Sequence, residues 1–354
     1  MRRFVLVRWF AILVFFVFAG VVSAQDAATR HEVFSYEAAA LVRQLDEGAH
    51  RVVVSGAMNA GLLGGLRDAL RENPRAAVAL DLSAVSGLFE LPKDALNGCA
   101  NLTALVIPDG LARVPWECFS GCNALASLEA TEESAYFSSA RGILYDKAGT
   151  ELVICPPAQD GTVEIPSAVS SVRAGAFANC PGVTDFALEA GNEAFSVREG
   201  ILYSTDATRL VQVPAGRAGQ VAVPDGVEVV ADGSFAYCAR VTAVVLPASV
   251  RTIEKGAFSH CVALETVAIP AELVSIGKQA FSGCTALGEM TLPAGLAYLG
   301  SRSFFKSSVT AVAFEDADGW TFGKARLTLD NPRVNAEQLT HPGQCWFLDI
   351  YKEK

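Results

Sequence analysis

Residues 256–284 read GAFSHCVALETVAIPAELVSIGKQAFSGC. The stretch opens and closes on one phrase, x-Ala-Phe-x-x-Cys, and its two cysteines, Cys261 and Cys284, stand 23 residues apart. Apolar residues follow the first cysteine at Leu264, Val267 and Ile269, with Pro270 directly after. The alternation around Val267 predicts a short strand, and the proline ends it. An L-x-x-L-x-L pattern recurring about every 20–29 residues marks a solenoid in which each coil contributes one strand.

Working outward, the phrase recurs as DALNGC at 94–99, ECFSGC at 117–122, GAFANC at 175–180, GSFAYC at 233–238 and, degraded, RSFFKS at 302–307. Cys99 and Cys122 are one 23-residue step apart, whereas Cys122, Cys180 and Cys238 are separated by steps of 58. Each long step divides into a coil of 23 and a coil of 35, with Val163 and Val221 centring the extra strands. Strand centres are therefore expected at Leu82, Leu105, Leu128, Val163, Phe186, Val221, Val244, Val267, Met290 and Val312. The two long coils carry matching inserts, GILYDKAGTELVICP at 142–156 and GILYSTDATRLVQVP at 200–214. Each reads as a β-hairpin that elaborates the coil, with a binding loop as the alternative.

The ends differ from the middle. Arg2 and Arg3, the apolar run Trp9–Gly20 and the small residues Val22-Ser23-Ala24 read as a signal peptide cleaved before Gln25. The run is too short to span a membrane once Arg8 interrupts it, so no integral membrane insertion is expected after cleavage. Losing three arginines and no acid takes the net charge from −10 to −13. A chain so acidic is a poor partner for nucleic acid, which needs clustered cations. A helix over about Tyr36–Leu45 capped by Ser35, a strand at Arg51–Ser55 and a helix over about Leu62–Arg71 precede the first repeat strand at Val78–Ser83. Past the last repeat, Trp320, Trp346, Phe347 and Tyr351 supply aromatic area to cover the terminal coil. The expected division is 1–24 signal peptide, 25–77 N-terminal cap, 78–315 repeats and 316–354 C-terminal cap. The fold class is an α/β solenoid: a right-handed leucine-rich-repeat horseshoe with a parallel concave sheet of about ten strands, an N-terminal α/β cap and a C-terminal cap.

These phrases resemble the BspA-like, treponemal class of leucine-rich repeats over about 75–350, and Cys261–Cys284 matches that pattern almost throughout. The G-I-L-Y inserts also occur in that family, and the caps look like those of short exported spirochaetal members. The resemblance implies an exported periplasmic, surface or secreted protein engaged in adhesion, matrix binding or other protein contacts, with no catalytic residues to carry over.

Chemistry-bearing motifs are few. The four histidines, His31, His50, His260 and His341, include no i, i+4 metal pair and no H-E-x-x-H. His260 falls where Gly121, Asn179, Tyr237 and Gly283 stand in other coils, so it reads as a variable position. Six of the nine cysteines are repeat core positions, Cys118 replaces a core alanine, and Cys155 and Cys345 lie in a hairpin and the C-terminal cap. Stacked repeat cysteines are parallel rather than facing, so most are expected as free thiols. No catalytic, cofactor or metal site follows from the sequence, and no enzyme is expected.

A partner, by contrast, has a place to bind. Strand side chains alternate, so residues flanking each centre face the concave side. They are Asp81 and Ser83, Ala104 and Val106, Ser127 and Glu129, Thr162 and Glu164, Asp185 and Ala187, Gln220 and Ala222, Ala243 and Val245, Thr266 and Ala268, Glu289 and Thr291, and Ala311 and Ala313. This set has five acids, no lysine or arginine, and otherwise small or apolar side chains, which suits close approach of a protein or peptide. Three roles follow: a non-enzymatic scaffold binding a protein or peptide through this face, a host-directed adhesin for extracellular matrix, and a carrier of an apolar small molecule in a groove. Cys261→Ser is expected to cost more stability than Cys261→Ala, on the premise that a buried hydroxyl there would lack partners.

Overall fold

The computed structural model of the chain describes residues 28–322, 325–340 and 349–352, so the segment read as a signal peptide and His341, Cys345, Trp346 and Phe347 lie outside the described residues. Ten repeat strands stack as successive coils: Ala76–Asp81, Leu102–Val106, Ser127–Glu129, Asp160–Ile165, Gly182–Leu188, Ala218–Ala222, Arg240–Val245, Thr266–Ala268, Met290–Leu292 and Val312–Phe314. Wherever neighbours pair, they pair in parallel, with Leu105 opposite Leu128, Val163 opposite Phe186, and Val244 opposite both Val221 and Val267. The protein is a leucine-rich-repeat solenoid.

Two features of the concave sheet differ from the sequence expectation. The first strand centres on Leu80, which pairs with Leu105, rather than on Leu82. Leu82 is buried in the turn after that strand, where its N–H bonds to Val106 O just as Ile107 N–H bonds to Glu129 O. A 23-residue step back from Leu105 lands on Leu82 because Leu80 and Leu105 stand 25 residues apart, two more than the repeat. The sheet is also not continuous; it falls into four segments. Two of the breaks belong to the inserts: Leu128 N donates to Gly142 O (2.8 Å) and Phe186 N to Gly200 O (2.9 Å), so G-I-L-Y turns take bonds the next repeat strand would have made. Gly142 has φ +75°, and a Cβ there would lie 2.9 Å from Ala126 O, so only glycine fits this approach.

Each insert is a three-stranded antiparallel meander rather than a two-stranded hairpin: Phe137–Ala140, Ile143–Asp146 and Glu151–Ile154, then Phe195–Arg198, Ile201–Ser204 and Arg209–Gln212. Their last strands start a second parallel ladder. One continues only to Ser171–Val172, whereas the other runs through Val229–Val230, Thr252–Ile253, Ser275–Ile276 and Tyr298–Leu299. The inserts are thus woven into the wall of the solenoid. Buried Leu144, Leu152, Leu202 and Leu210 fasten them there.

Between the ladders run stacks of repeat side chains. Phe235, Phe258, Phe281 and Phe304 pile ring on ring at 4.7, 5.1 and 5.3 Å between centroids, and all four are fully buried. The cysteines beside them are free, buried thiols that donate to carbonyls of the preceding coil: Cys122 to Leu96 O, Cys261 to Phe235 O and Cys284 to Phe258 O, each at 3.0 Å. The premise that a hydroxyl at position 261 lacks partners is therefore corrected; Phe235 O is in place. Cys155, directly after the last strand of the first insert, is buried, and Cys180 donates to its carbonyl (3.2 Å).

At the N-terminal end a strand the sequence reading missed, Thr29–Phe34, pairs in parallel with Gly48–Ala57, which in turn pairs with Ala76–Asp81. Helices Ala38–Gln44 and Ala60–Glu72 pack on this sheet through Val42, Leu63, Leu66 and Leu70. Asn59 caps the second, its Oδ1 accepting from Leu62 N (3.0 Å). Ser35 caps neither; its hydroxyl donates to Ala57 O, and Glu37 holds the N-cap place without a side-chain bond. At the other end Trp320 is buried against Phe314, while Ile350–Lys352 pairs antiparallel with Tyr298–Leu299. Tyr351 is exposed, contrary to its expected covering role, because strand alternation turns Ile350 inward in its place.

Candidate functional site: the concave face

Repeat strands set their flanking residues into rows. In the N-terminal half one row runs Arg51, Ala79, Ala104, Ser127 and the next runs Val53, Asp81, Val106, Glu129. After the first insert, Thr162 faces Asp185 and Glu164 faces Ala187. In the C-terminal half the rows are Gln220, Ala243, Thr266 and Ala222, Val245, Ala268, followed by Thr291 beside Ala313. Ser83 falls out of the face with the corrected register, and Ala79 enters it.

The face is not free of basic residues. Arg51, on the Gly48–Ala57 strand, places Nη2 2.9 Å from Asp81 Oδ2, and Ser83 donates to the other oxygen through N–H and hydroxyl. Burial works to raise the Asp81 carboxyl, but the hydrogen bonds from Arg51 and Ser83 outweigh it and hold the group below its ordinary value. Arg141, at the turn of the first insert, pairs with Glu164, and Arg217 reaches Asp185 at 3.5 Å. Ser127 donates to Glu129 (2.8 Å). Four of the five acids read from the strands thus have partners inside the chain, supplied from cap, turns and neighbouring strand positions that strand alternation could not reveal. The fifth, Glu289, lines a groove of about 380 Å³ with Thr310, Arg333 and Glu337, beside the helix Pro332–Thr340.

Exposure follows this division only in part, since Thr162 and Glu164 of the first half are also exposed. Ala104 is buried, and the hollow around Arg51, Asp81, Ala104, Val106 and Glu129 measures about 30 Å³. In the C-terminal half Ala222, Val245, Thr266, Ala268 and Thr291 are exposed, Val245 at 41%, and Ala243 is half-buried.

A second surface escaped the sequence reading. On the turn side, Trp116, Tyr237 and His260 form a row of rings with centroids 4.7 and 4.6 Å apart, along a groove of about 380 Å³ that also includes Lys93, Asp232 and Lys255. Tyr237 and His260 hold φ of +62° and +59°, at the place Gly121 and Gly283 occupy in other coils. Two bulky residues in successive coils at a glycine position were the available signal. Glycines flank the row: a Cβ on Gly175 would lie 2.6 Å from the Trp116 ring, and one on Gly283 would lie 3.1 Å from His260. Burial pushes His260 below the ordinary histidine value, with Lys306 adding to the shift. Burial likewise pushes the thiols of Cys99, Cys238 and Cys284 up to about 12, which makes them core groups rather than nucleophiles.

The fold and its repeated strands define a leucine-rich-repeat protein. Six copies of the BspA type leucine rich repeat region match at residues 82–140 and 217–319. The intervening 141–216, which holds most of the first insert and all of the second, is left unmatched. Among solved structures, the chain is similar to the pneumococcal vaccine antigen PcpA, at 18% identity over 68% of this chain and 62% of that one, with a TM-score of 0.45. It thus spans less than two thirds of that antigen's length. It is also similar to a leucine rich cell surface protein from Faecalibacterium prausnitzii, at 18% identity over 76% and 72% of the chains and a TM-score of 0.43. The leucine rich repeat protein of Treponema pallidum is 20% identical over 52% and 70%, with a TM-score of 0.29. No curated protein matches the sequence significantly. Among the described residues, no helix is long and apolar enough to cross a membrane.

Proposed function

We propose that the protein is an exported, non-enzymatic scaffold that binds a protein or peptide along the C-terminal half of its concave face. One observation carries this reading: Gln220, Ala222, Ala243, Val245, Thr266 and Ala268 form two adjoining rows without a charge, and all but Ala243 stand exposed. Small side chains let another backbone come close, and uncharged ones need no desolvated ion. The leucine-rich-repeat family, with its extended inner surfaces suited to protein contacts, supports the class of role. Export rests on the signal-like segment before Gln25, and places the protein in the periplasm or on the surface.

The carrier reading has one observation on its side. Where the second ladder is interrupted, a groove of about 340 Å³ is lined by Val172, Ala194, Phe195, Val211 and Ala231. Lipid extracted from the purified protein, and lost on Ala194→Arg, is what that reading requires. For the scaffold reading the test is affinity capture from the native envelope with Ala243→Arg and Val245→Arg beside the off-face control Arg251→Glu. The concave variants are expected to lose the partner while folding normally. Retention by both of them with loss in the control overturns the proposal.

A further inference from the structure

The N-terminal sheet brings together two histidines that sequence spacing keeps 19 residues apart. Thr29 pairs with His50 in the parallel register of Thr29–Phe34 and Gly48–Ala57, which sets His31 one step along from His50 on the same face. Their rings meet at 5.3 Å between centroids, tilted by 38°, with His31 Nε2 3.1 Å from His50 Nδ1. His50 is buried and His31 half-buried, so the pair is open to water from one side.

The far nitrogen of His50 fixes the chemistry of the near one. His50 Nε2 lies 3.1 Å from Asp46 O and 3.3 Å from Asp46 Oδ1, and only a donor can satisfy both acceptors. The neutral His50 ring therefore carries its proton on Nε2 and turns a lone pair on Nδ1 toward His31. A histidine whose second nitrogen donates to a carbonyl or carboxylate is the usual arrangement behind a metal ligand, because it locks the tautomer and raises the basicity of the ligating nitrogen. Two nitrogens 3.1 Å apart, each about 2.1 Å from a shared ion, subtend about 95° at it. A nitrogen separation near that value is the one cis ligands take in tetragonal coordination.

We propose that His31 Nε2 and His50 Nδ1 form a two-imidazole site for a cupric ion, oriented by Asp46 and completed by water. Without the ion, His31 Nε2–H donates to His50 Nδ1. On binding, that proton moves to His31 Nδ1, which leaves both facing lone pairs for the metal with no change in net protonation of the neutral rings. Ion binding requires the half-buried His31 ring to turn so that its Nε2 lone pair leaves the line of the hydrogen bond and meets that of His50 at the metal. Among the described residues, no group of three or more His, Cys, Asp or Glu side chains surrounds a possible ion, so water fills the remaining positions and the site is an exchangeable one. Cu²⁺ outranks Zn²⁺ and Ni²⁺ for nitrogen donors in this geometry.

The test is titration of the full mature chain with Cu²⁺ alone near pH 7.5, followed by calorimetry and by electron paramagnetic resonance of the one-to-one complex. One ion per chain is expected, with hyperfine structure from two imidazole nitrogens and at least ten-fold weaker binding of Zn²⁺. His31→Gln, at a half-exposed position, is expected to weaken Cu²⁺ binding at least ten-fold with unchanged circular dichroism, while His260→Gln leaves it unaltered. His31→Gln binding as tightly as the parent, or a spectrum showing a thiolate, an amino terminus or a single imidazole, overturns the assignment.

Discussion

The two halves of the concave face are built from the same repeat and offer opposite surfaces. In the N-terminal half the strands bear Asp81, Glu129, Glu164 and Asp185, and the chain answers each from within through Arg51, Ser127, Arg141 and Arg217. In the C-terminal half the rows through Val245 and Ala243 carry no charge and meet no such partner. Ion pairs already made inside the chain have little to offer a newcomer, since breaking one leaves a charge unpaired. An uncharged, small-residue strip has no such pair to break. The lesson is that an acid on a strand says little about a surface until the loops that reach over it are known.

The largest expected effect lies in the second half. Val245→Arg at a buried interface centre is expected to weaken partner binding about thirty-fold or more, roughly 2 kcal/mol. Glu129→Arg, on the matching row of the first half, is expected to change it less than three-fold. Equal losses measured by calorimetry would erase the distinction between the halves.

Next comes the support beneath the first half. Gly200 holds φ +73°, and a Cβ there would lie 2.1 Å from Asp185 Oδ1. Gly200→Ala is expected to lower unfolding stability by ~1–3 kcal/mol in denaturant titrations, through strain and displacement of Asp185. Gly219→Ala, at φ +74° with nothing within 4 Å of its Cβ, carries the backbone cost alone, about 1 kcal/mol.

The core under the second half gives a smaller, sharper contrast. Cys261→Ala removes a buried sulfur and is expected to cost ~1–2 kcal/mol. Cys261→Ser keeps a donor within reach of Phe235 O and is expected to fall within about 1 kcal/mol of the alanine variant. A serine variant much weaker than alanine would mean that the thiol-to-carbonyl contact contributes nothing.

The smallest effect is a pH dependence in the first half. Asp81 is held below its ordinary value when folded, so its contribution to stability is complete above the unfolded value of about 4. It is lost as pH falls through the folded value. Asp81→Asn is expected to be less stable than the parent at neutral pH and to lose less on acidification below about pH 4. Parallel acid-unfolding curves for the two would remove the Arg51–Asp81 pair from the account.

The cysteine-to-cysteine spacing and the apolar residues after each cysteine carried the architecture, because every coil repeats one solution to the same packing problem. Nine of the ten strand centres were legible from it. Leu80 was not, since the first coil is two residues longer than the repeat and Leu82 meets the 23-residue spacing instead. Two of the three breaks in the sheet were hidden for a different reason: they depend on Gly142 and Gly200 taking backbone bonds from strands read as continuous. For the candidate site, strand alternation identified the outward residues of the nine later strands, but not that Ala104 is buried. It could not see Arg141 and Arg217, which stand off the strands, and the shifted first register concealed that Arg51 shares a row with Ala79 and Ala104.

The central claim is that a partner docks on the uncharged half of the concave face. A photo-activated crosslinking residue placed singly at Val245, at Glu129 and at Arg251 in cells making the native protein tests this most directly. One discrete crosslinked species is expected from Val245, and none from Glu129 or Arg251. The same species arising from Arg251 but not from Val245 would contradict it.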